Sequence, residues 1–375
     1  MSIAEKHPIH VLVVDDSAVV REVLNAILAL EPGMIVATAA DPMIAMTKMK
    51  QQRPDVILLD LELPRMDGLT FLQKIMRRDP IPVVICSAHT GPHTRLGLRA
   101  LEEGAVDIIT KPRTAVREFL HESAVLLTDA VRAAARSRPK SFCAPHMAGT
   151  AAVVPETAPS RATAFDGATG AETVIALGAS TGGTEALKSI LEAMPADAPA
   201  LVIVQHMPEG FTAAFAERLD RSCRIAVKEA VHGDRLASGQ ALIAPGNRHL
   251  LVRRQVFRYS VEVDDGPLVS RHRPSVDRLF HSVARSAGAN AVGVLLTGMG
   301  SDGADGLLAM RKAGAFTLAQ DEVSSVVFGM PREAIERGAA EKVASLSRMA
   351  DEILRAAVEK QRAAAPFGHA RAARR

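Results

Sequence analysis

Between Ile9 and Arg136 the chain alternates apolar strand-like runs with amphipathic stretches, and few folds accept that order. The runs cover 9–14, 34–38, 55–59, 81–85 and 106–109. The stretches between them repeat apolar residues at helical spacing, as Val20, Val23, Leu24, Ile27 and Leu28 do in the first. Continuously apolar strands need cover on both faces, so the pattern predicts a doubly wound, five-stranded parallel sheet. Such a sheet gathers its loops at the carboxyl edge. There Asp15 and Asp16 follow the first run, Asp60 ends the third, Ser87 follows the fourth, and Lys111 with Pro112 follows the fifth. Three carboxylates in one place repel one another unless a cation neutralises them, and an oxygen-only set suits Mg²⁺. A carboxylate beside a metal and a lysine can also act as a nucleophile towards phosphorus. Taken singly, each acid reads equally well as a solvated loop residue.

A second set of crossings begins at Val174. The run 174–177 ends in GASTGG, with Ser180 on a glycine turn before a helix. That turn admits three readings: an exposed nucleophile, a phosphate cradle or a simple helix cap. The next run, 200–204, ends at His206, where a dinucleotide fold would want an acid for the ribose. A third run, 291–297, ends in GMGSDG and delivers Asp302 to the same expected edge. A carboxylate there can fix the tautomer of His206, whose other nitrogen takes the serine proton. Asp305 is nearby and reads as a helix-start charge. The order Ser, His, Asp differs from that of the common α/β-hydrolases.

At 375 residues the chain is long enough for two domains. Its 48% hydrophobic content fills cores with few aromatics, and a net charge of +3 gives no reason to expect a nucleic-acid or membrane-surface partner. No apolar run reaches bilayer length and the first residues lack a signal-peptide core, so a cytoplasmic location without membrane insertion is expected. Cys86, Cys143 and Cys223 show no metal-ligand spacing. Residues 133–171, rich in Ala, Pro, Ser and Thr, read as a linker, and 361–375 as a basic tail. Strand signals in 221–273 suggest an added antiparallel hairpin or edge. Arg271, His272 and Arg273 form a basic knot that reads either as positioning an acidic helix or as a solvated surface, and His232 and His249 have similar status.

VLVVDDS, ILLDLELPRMDG, VICSA and IITKP resemble the receiver domain of response regulators. GASTGG, VIVQHMP, LIAPGNRHL, RHRPSVDRLF and LLTGMGSDGADGL resemble the catalytic domain of chemotaxis protein-glutamate methylesterases. Together they cover nearly the whole chain. The resemblance implies a receiver at 1–132 and, at 172–360, an α/β catalytic domain with a mainly parallel sheet plus an antiparallel hairpin. It implies Asp60 as phospho-acceptor, Asp15, Asp16 and Asp60 as Mg²⁺ ligands, Ser87 and Lys111 as switch and phosphate-binding residues, and a cis Lys111–Pro112 peptide. Ser180 is then the nucleophile, His206 the base and Asp302 its orienter, with oxyanion donors expected near Thr181 and Met299 and no cofactor in the catalytic domain. The implied reaction is demethylation of glutamyl esters on methyl-accepting chemotaxis receptors, with deamidation of glutamines as a second activity. A chemotaxis histidine kinase is the implied phosphodonor. The competing readings are an adaptor without turnover and, ranked low, a transcriptional regulator.

Overall fold

The structure is a computed structural model that describes residues 7–87, 92–111, 117–137, 173–256 and 258–364. The expected linker beyond residue 137, the tail beyond 364 and the Lys111–Pro112 peptide lie outside the described residues.

Five strands, β1 (Ile9–Val14), β2 (Met34–Ala39), β3 (Val56–Leu59), β4 (Val83–Ser87) and β5 (Asp107–Thr110), alternate with five helices. These are α1 (Ala18–Ala29), α2 (Pro42–Gln51), α3 (Gly68–Arg78), α4 (Pro92–Glu102) and α5 (Arg117–Arg136). All pairings are parallel, in the order β2-β1-β3-β4-β5. β3 and β4 are buried at every position, as the continuous apolar runs predict, whereas edge strand β2 alternates. Strand order reverses between β1 and β3, and a crevice opens at that switch point. Asp15, Asp16 and Asp60 stand there.

The second unit contains β6 (Val174–Ala179), α6 (Gly183–Ala193), β7 (Ala200–Gln205), α7 (Phe211–Ser222), β8 (Ala226–Glu229), β9 (Gln240–Ile243), β10 (His249–Gln255), β11 (Arg258–Asp264) and α8 (Val276–Ser286). It continues through β12 (Ala291–Leu295), α9 (Ala304–Lys312), β13 (Phe316–Gln320), α10 (Met330–Glu336), β14 (Lys342–Ala344) and α11 (Leu346–Ala364). Seven of its strands form one parallel sheet, β14-β13-β12-β6-β7-β9-β8, and β10 pairs with β11 as a separate antiparallel hairpin. The expectation for 221–273 is therefore corrected in part. Only its second half is the hairpin, while β8 and β9 extend the main sheet in parallel. The burial of β8 alternates because it is an edge strand, and alternation reports exposure without reporting pairing direction.

One apolar cluster runs from the first sheet into the second. At the junction the Phe211 ring packs on α4 beside Ile108, and a Cβ on Gly97 would sit 2.8 Å from that ring. Glycine is what allows α4 and α7 this close. No described helix is long and apolar enough to cross a membrane.

Candidate active site

β12, β6 and β7 are neighbours, so the loops that follow them meet at one edge. Ser180 follows β6, His206 follows β7, and Asp302 lies in the loop between β12 and α9. The serine turn is braced on both sides. Ser180 N donates to Thr297 O at 3.0 Å, Gln205 Nε2 donates to Ser180 O at 2.9 Å, and Thr297 Oγ1 donates to Thr181 O at 3.0 Å. A Cβ on Gly298 would lie 2.7 Å from the Ser180 Cβ, so these two loops can close only over a glycine.

Asp302 is 1% exposed and takes four donors. His206 Nε2 reaches its Oδ2 at 2.8 Å, Val276 N at 2.7 Å, and Ser275 Oγ and Asp277 N reach Oδ1 at 2.8 and 3.1 Å. The two backbone donors open α8, whose positive dipole end favours an anion. Burial alone would raise this carboxyl. The hydrogen bond and charge of His206, with the Ser275 hydroxyl, outweigh it and hold Asp302 well below the ordinary carboxylate range. A carboxylate can only accept, so His206 carries its proton on Nε2 and leaves Nδ1 as an acceptor. That Nδ1 is buried and has no hydrogen-bond partner among the described residues. The Asp302–His206 bond is thus formed, and the other ring nitrogen of His206 is free to accept a proton.

A second carboxyl sits against Asp302. Burial first, then the Asp302 charge, push Asp277 up to about 7. Its Oδ1 also accepts Gly306 N at 2.7 Å. Because the folded-state pKa is raised, Asp277 contributes most to stability below about pH 4, and that contribution declines as pH rises to about 7. An asparagine in place of the acid has similar size and does not titrate. Thermal melts of Asp277→Asn and wild type should therefore diverge in favour of the variant between pH 4 and 7, with a limiting slope of about 1.4 kcal/mol per pH unit. A stability difference that does not change with pH would rule out a raised Asp277 carboxyl.

The support behind Asp302 was not legible in the sequence. His249 is fully buried; its Nε2 donates to Pro267 O at 2.9 Å, which leaves Nδ1 to accept Ser275 N at 3.2 Å. This corrects the reading of His249 as a surface residue. Ser275, the α8 cap, links that histidine to Asp302. Asp305 is an exposed first-turn charge that pairs with Arg337 at 2.6 Å, in line with its helix-start reading.

The first unit faces this site. Thr181 Oγ1 donates to Asp107 Oδ2 at 2.6 Å, and Arg218 pairs with Glu102 at 2.6 Å. Burial, partly offset by the Thr181 bond, raises the Asp107 carboxyl. A cleft of about 880 Å³ runs between β5 and α5 on one side and Ser180, His206, His272 and Met299 on the other. The backbone N–H groups of Thr181 and Met299 donate to no other described backbone group.

At the other crevice, oxygens of Asp15, Asp16 and Asp60 lie within 4.8 Å of one another. Lys111 Nζ donates to Asp60 Oδ2 at 2.7 Å and stands 2.9 Å from Asp15 Oδ2. Burial raises the Asp60 carboxyl and the Lys111 bond opposes it. Ser87 is buried at the end of β4, where its carbonyl accepts Lys111 N at 2.9 Å. One ammonium among three carboxylates leaves room for a divalent cation.

Two doubly wound α/β units, the first with a receiver's strand order and acid crevice, define a response regulator with an α/β effector. Residues 11–121 match the response regulator receiver domain and 175–353 match the CheB methylesterase family. A protein-glutamate methylesterase/protein-glutamine glutaminase of Anaeromyxobacter dehalogenans is 57% identical, over 93% of this chain and 96% of its own length. Others from Geobacter metallireducens and Photobacterium profundum are 56% and 54% identical, over 92% of this chain and 98% and 99% of their own. The chain belongs to the CheB methylesterase family.

Proposed function

We propose that this protein is a phosphorylation-controlled hydrolase of γ-glutamyl methyl esters on methyl-accepting chemoreceptors, and that it also deamidates receptor glutamines. The carrying observation is the meeting of Ser180, His206 and a four-donor Asp302 at one sheet edge, inside a cleft that the receiver unit faces. The names of its relatives support the substrate class.

Ser180 Oγ attacks the ester carbonyl while His206 Nδ1 takes its proton. The imidazolium then forms between Asp302 and the stacked ring of His272. The N–H groups of Thr181 and Met299, free of backbone partners, would receive the oxyanion. His206 returns the proton to the leaving methoxide, methanol departs, and water deprotonated by His206 hydrolyses the acyl-serine to glutamate. A glutamine amide follows the same course and releases ammonia.

In the receiver, Asp60 accepts a phosphoryl group, with a chemotaxis histidine kinase as donor. Asp15, Asp16 and Asp60 would hold Mg²⁺, which neutralises charge on the transferring phosphoryl group. Lys111 and Ser87 would pair with its oxygens. An added dianion changes the strand-end charge two strands from Asp107, and so biases the packing that holds Thr181. Asp60→Ala is expected to keep basal methanol release and lose all stimulation by a small-molecule phosphodonor. Stimulation equal to wild type would remove Asp60 from the mechanism.

A further inference from the structure

The ring of His272 lies flat on that of His206, centroids 3.8 Å apart and planes 11° from parallel. It reaches that place by an unusual backbone. Val269 N donates to His272 O at 3.1 Å and His272 N to Val269 O at 2.9 Å, closing a two-residue turn. Both central residues, Ser270 at φ 51° and Arg271 at φ 67°, are in the left-handed region, which residues other than glycine and asparagine occupy at a cost. Neither is glycine or asparagine. Strained turns of this kind persist where the surroundings hold them, and here contacts at Arg271 and at Arg273 hold it. Arg273 Nη2 donates to Asn247 Oδ1 at 2.9 Å and its Nη1 to Gly266 O at 3.0 Å, while Arg271 pairs with Asp129 of α5 at 3.3 Å.

We propose that His272 is a positioning residue, whose ring face pins the His206 imidazole so that Nε2 stays on Asp302 and Nδ1 stays free for the serine proton. The inference rests on the reading of His206 as the base. A single hydrogen bond to Asp302 leaves the imidazole free to swing about that bond, and a flat neighbour at van der Waals distance removes this freedom. The same face is attractive to the imidazolium that forms during attack. Burial first, then the charge of His206, hold His272 down at about 3, so it stays neutral and does not compete for the proton. The role therefore belongs to the ring's face rather than to its nitrogens.

Three variants separate face from nitrogens in the full chain with phosphodonor present. His272→Phe keeps a flat face and loses both nitrogens, His272→Asn keeps polar atoms and loses the ring, and His272→Ala loses both. Phe is expected within about threefold of wild-type kcat, and Asn and Ala about tenfold or more below it, with KM within about twofold for all three. ¹⁵N NMR of the His206 ring gives a readout without turnover: a single Nε2–H tautomer in wild type and Phe, and a mixture in Asn and Ala. Wild-type kcat and tautomer in the Ala variant would overturn the proposal, as would a Phe variant no better than Ala. A tautomer that follows the ring in a wild type that releases no methanol would support the stacking role and count against the esterase reading.

Discussion

Replacing Ser180 with alanine is expected to lower methanol release from methylated receptor by about 10⁴-fold or more, with phosphodonor present or absent. The size follows from how the site converges. On this account Asp302 and His206 act through the Ser180 oxygen, and without it they can only orient water. The fold should be untouched, because Ser180 is held through its backbone N and O while its hydroxyl brackets neither loop. A protein acting as an adaptor would keep its output in this variant. Retained methanol release would move the nucleophile elsewhere and void the mechanism.

Asp302→Asn is expected to cost about 10³- to 10⁴-fold in kcat, with substrate binding kept. The argument is one of donors. With its NH₂ at the Oδ2 position, asparagine meets both His206 and the Val276 N–H, and the histidine must then present a bare Nε2. Its proton moves to Nδ1, the nitrogen that must be empty to deprotonate serine. With the amide turned over, the NH₂ opposes Asp277 N–H. Either placement also leaves a buried donor unpaired, so the melting temperature should fall by an amount equivalent to about 1–3 kcal/mol. A variant with full activity would show that the carboxylate neither sets the tautomer nor supports the imidazolium.

Which side chains gather at each sheet edge was readable because both units are doubly wound. Once strands are parallel, every residue just past a strand falls on one edge; Asp60, Lys111, Ser180 and His206 are each such residues, and Asp302 lies further along, in the loop from β12 to α9 at the same edge. The sequence could not tell how β8 and β9 join the sheet, since an edge strand alternates whichever way its partner runs. It also hid the residues that work from behind. His272 sits between two arginines and reads as surface, and only a turn with two left-handed residues folds its ring inward. His249 and Ser275 depend on the hairpin and α8 meeting at Asp302, a contact that no local periodicity encodes. The Thr181–Asp107 bond joins residues of two units and is likewise invisible to spacing.

The most direct test of a receiver-governed serine esterase is methanol release from methylated receptor membranes by the full chain. It is measured with and without a small-molecule phosphodonor and Mg²⁺. The account predicts slow release without phosphodonor, and a rise that requires both the phosphodonor and the metal. No release under either condition, or release indifferent to phosphodonor, would contradict it.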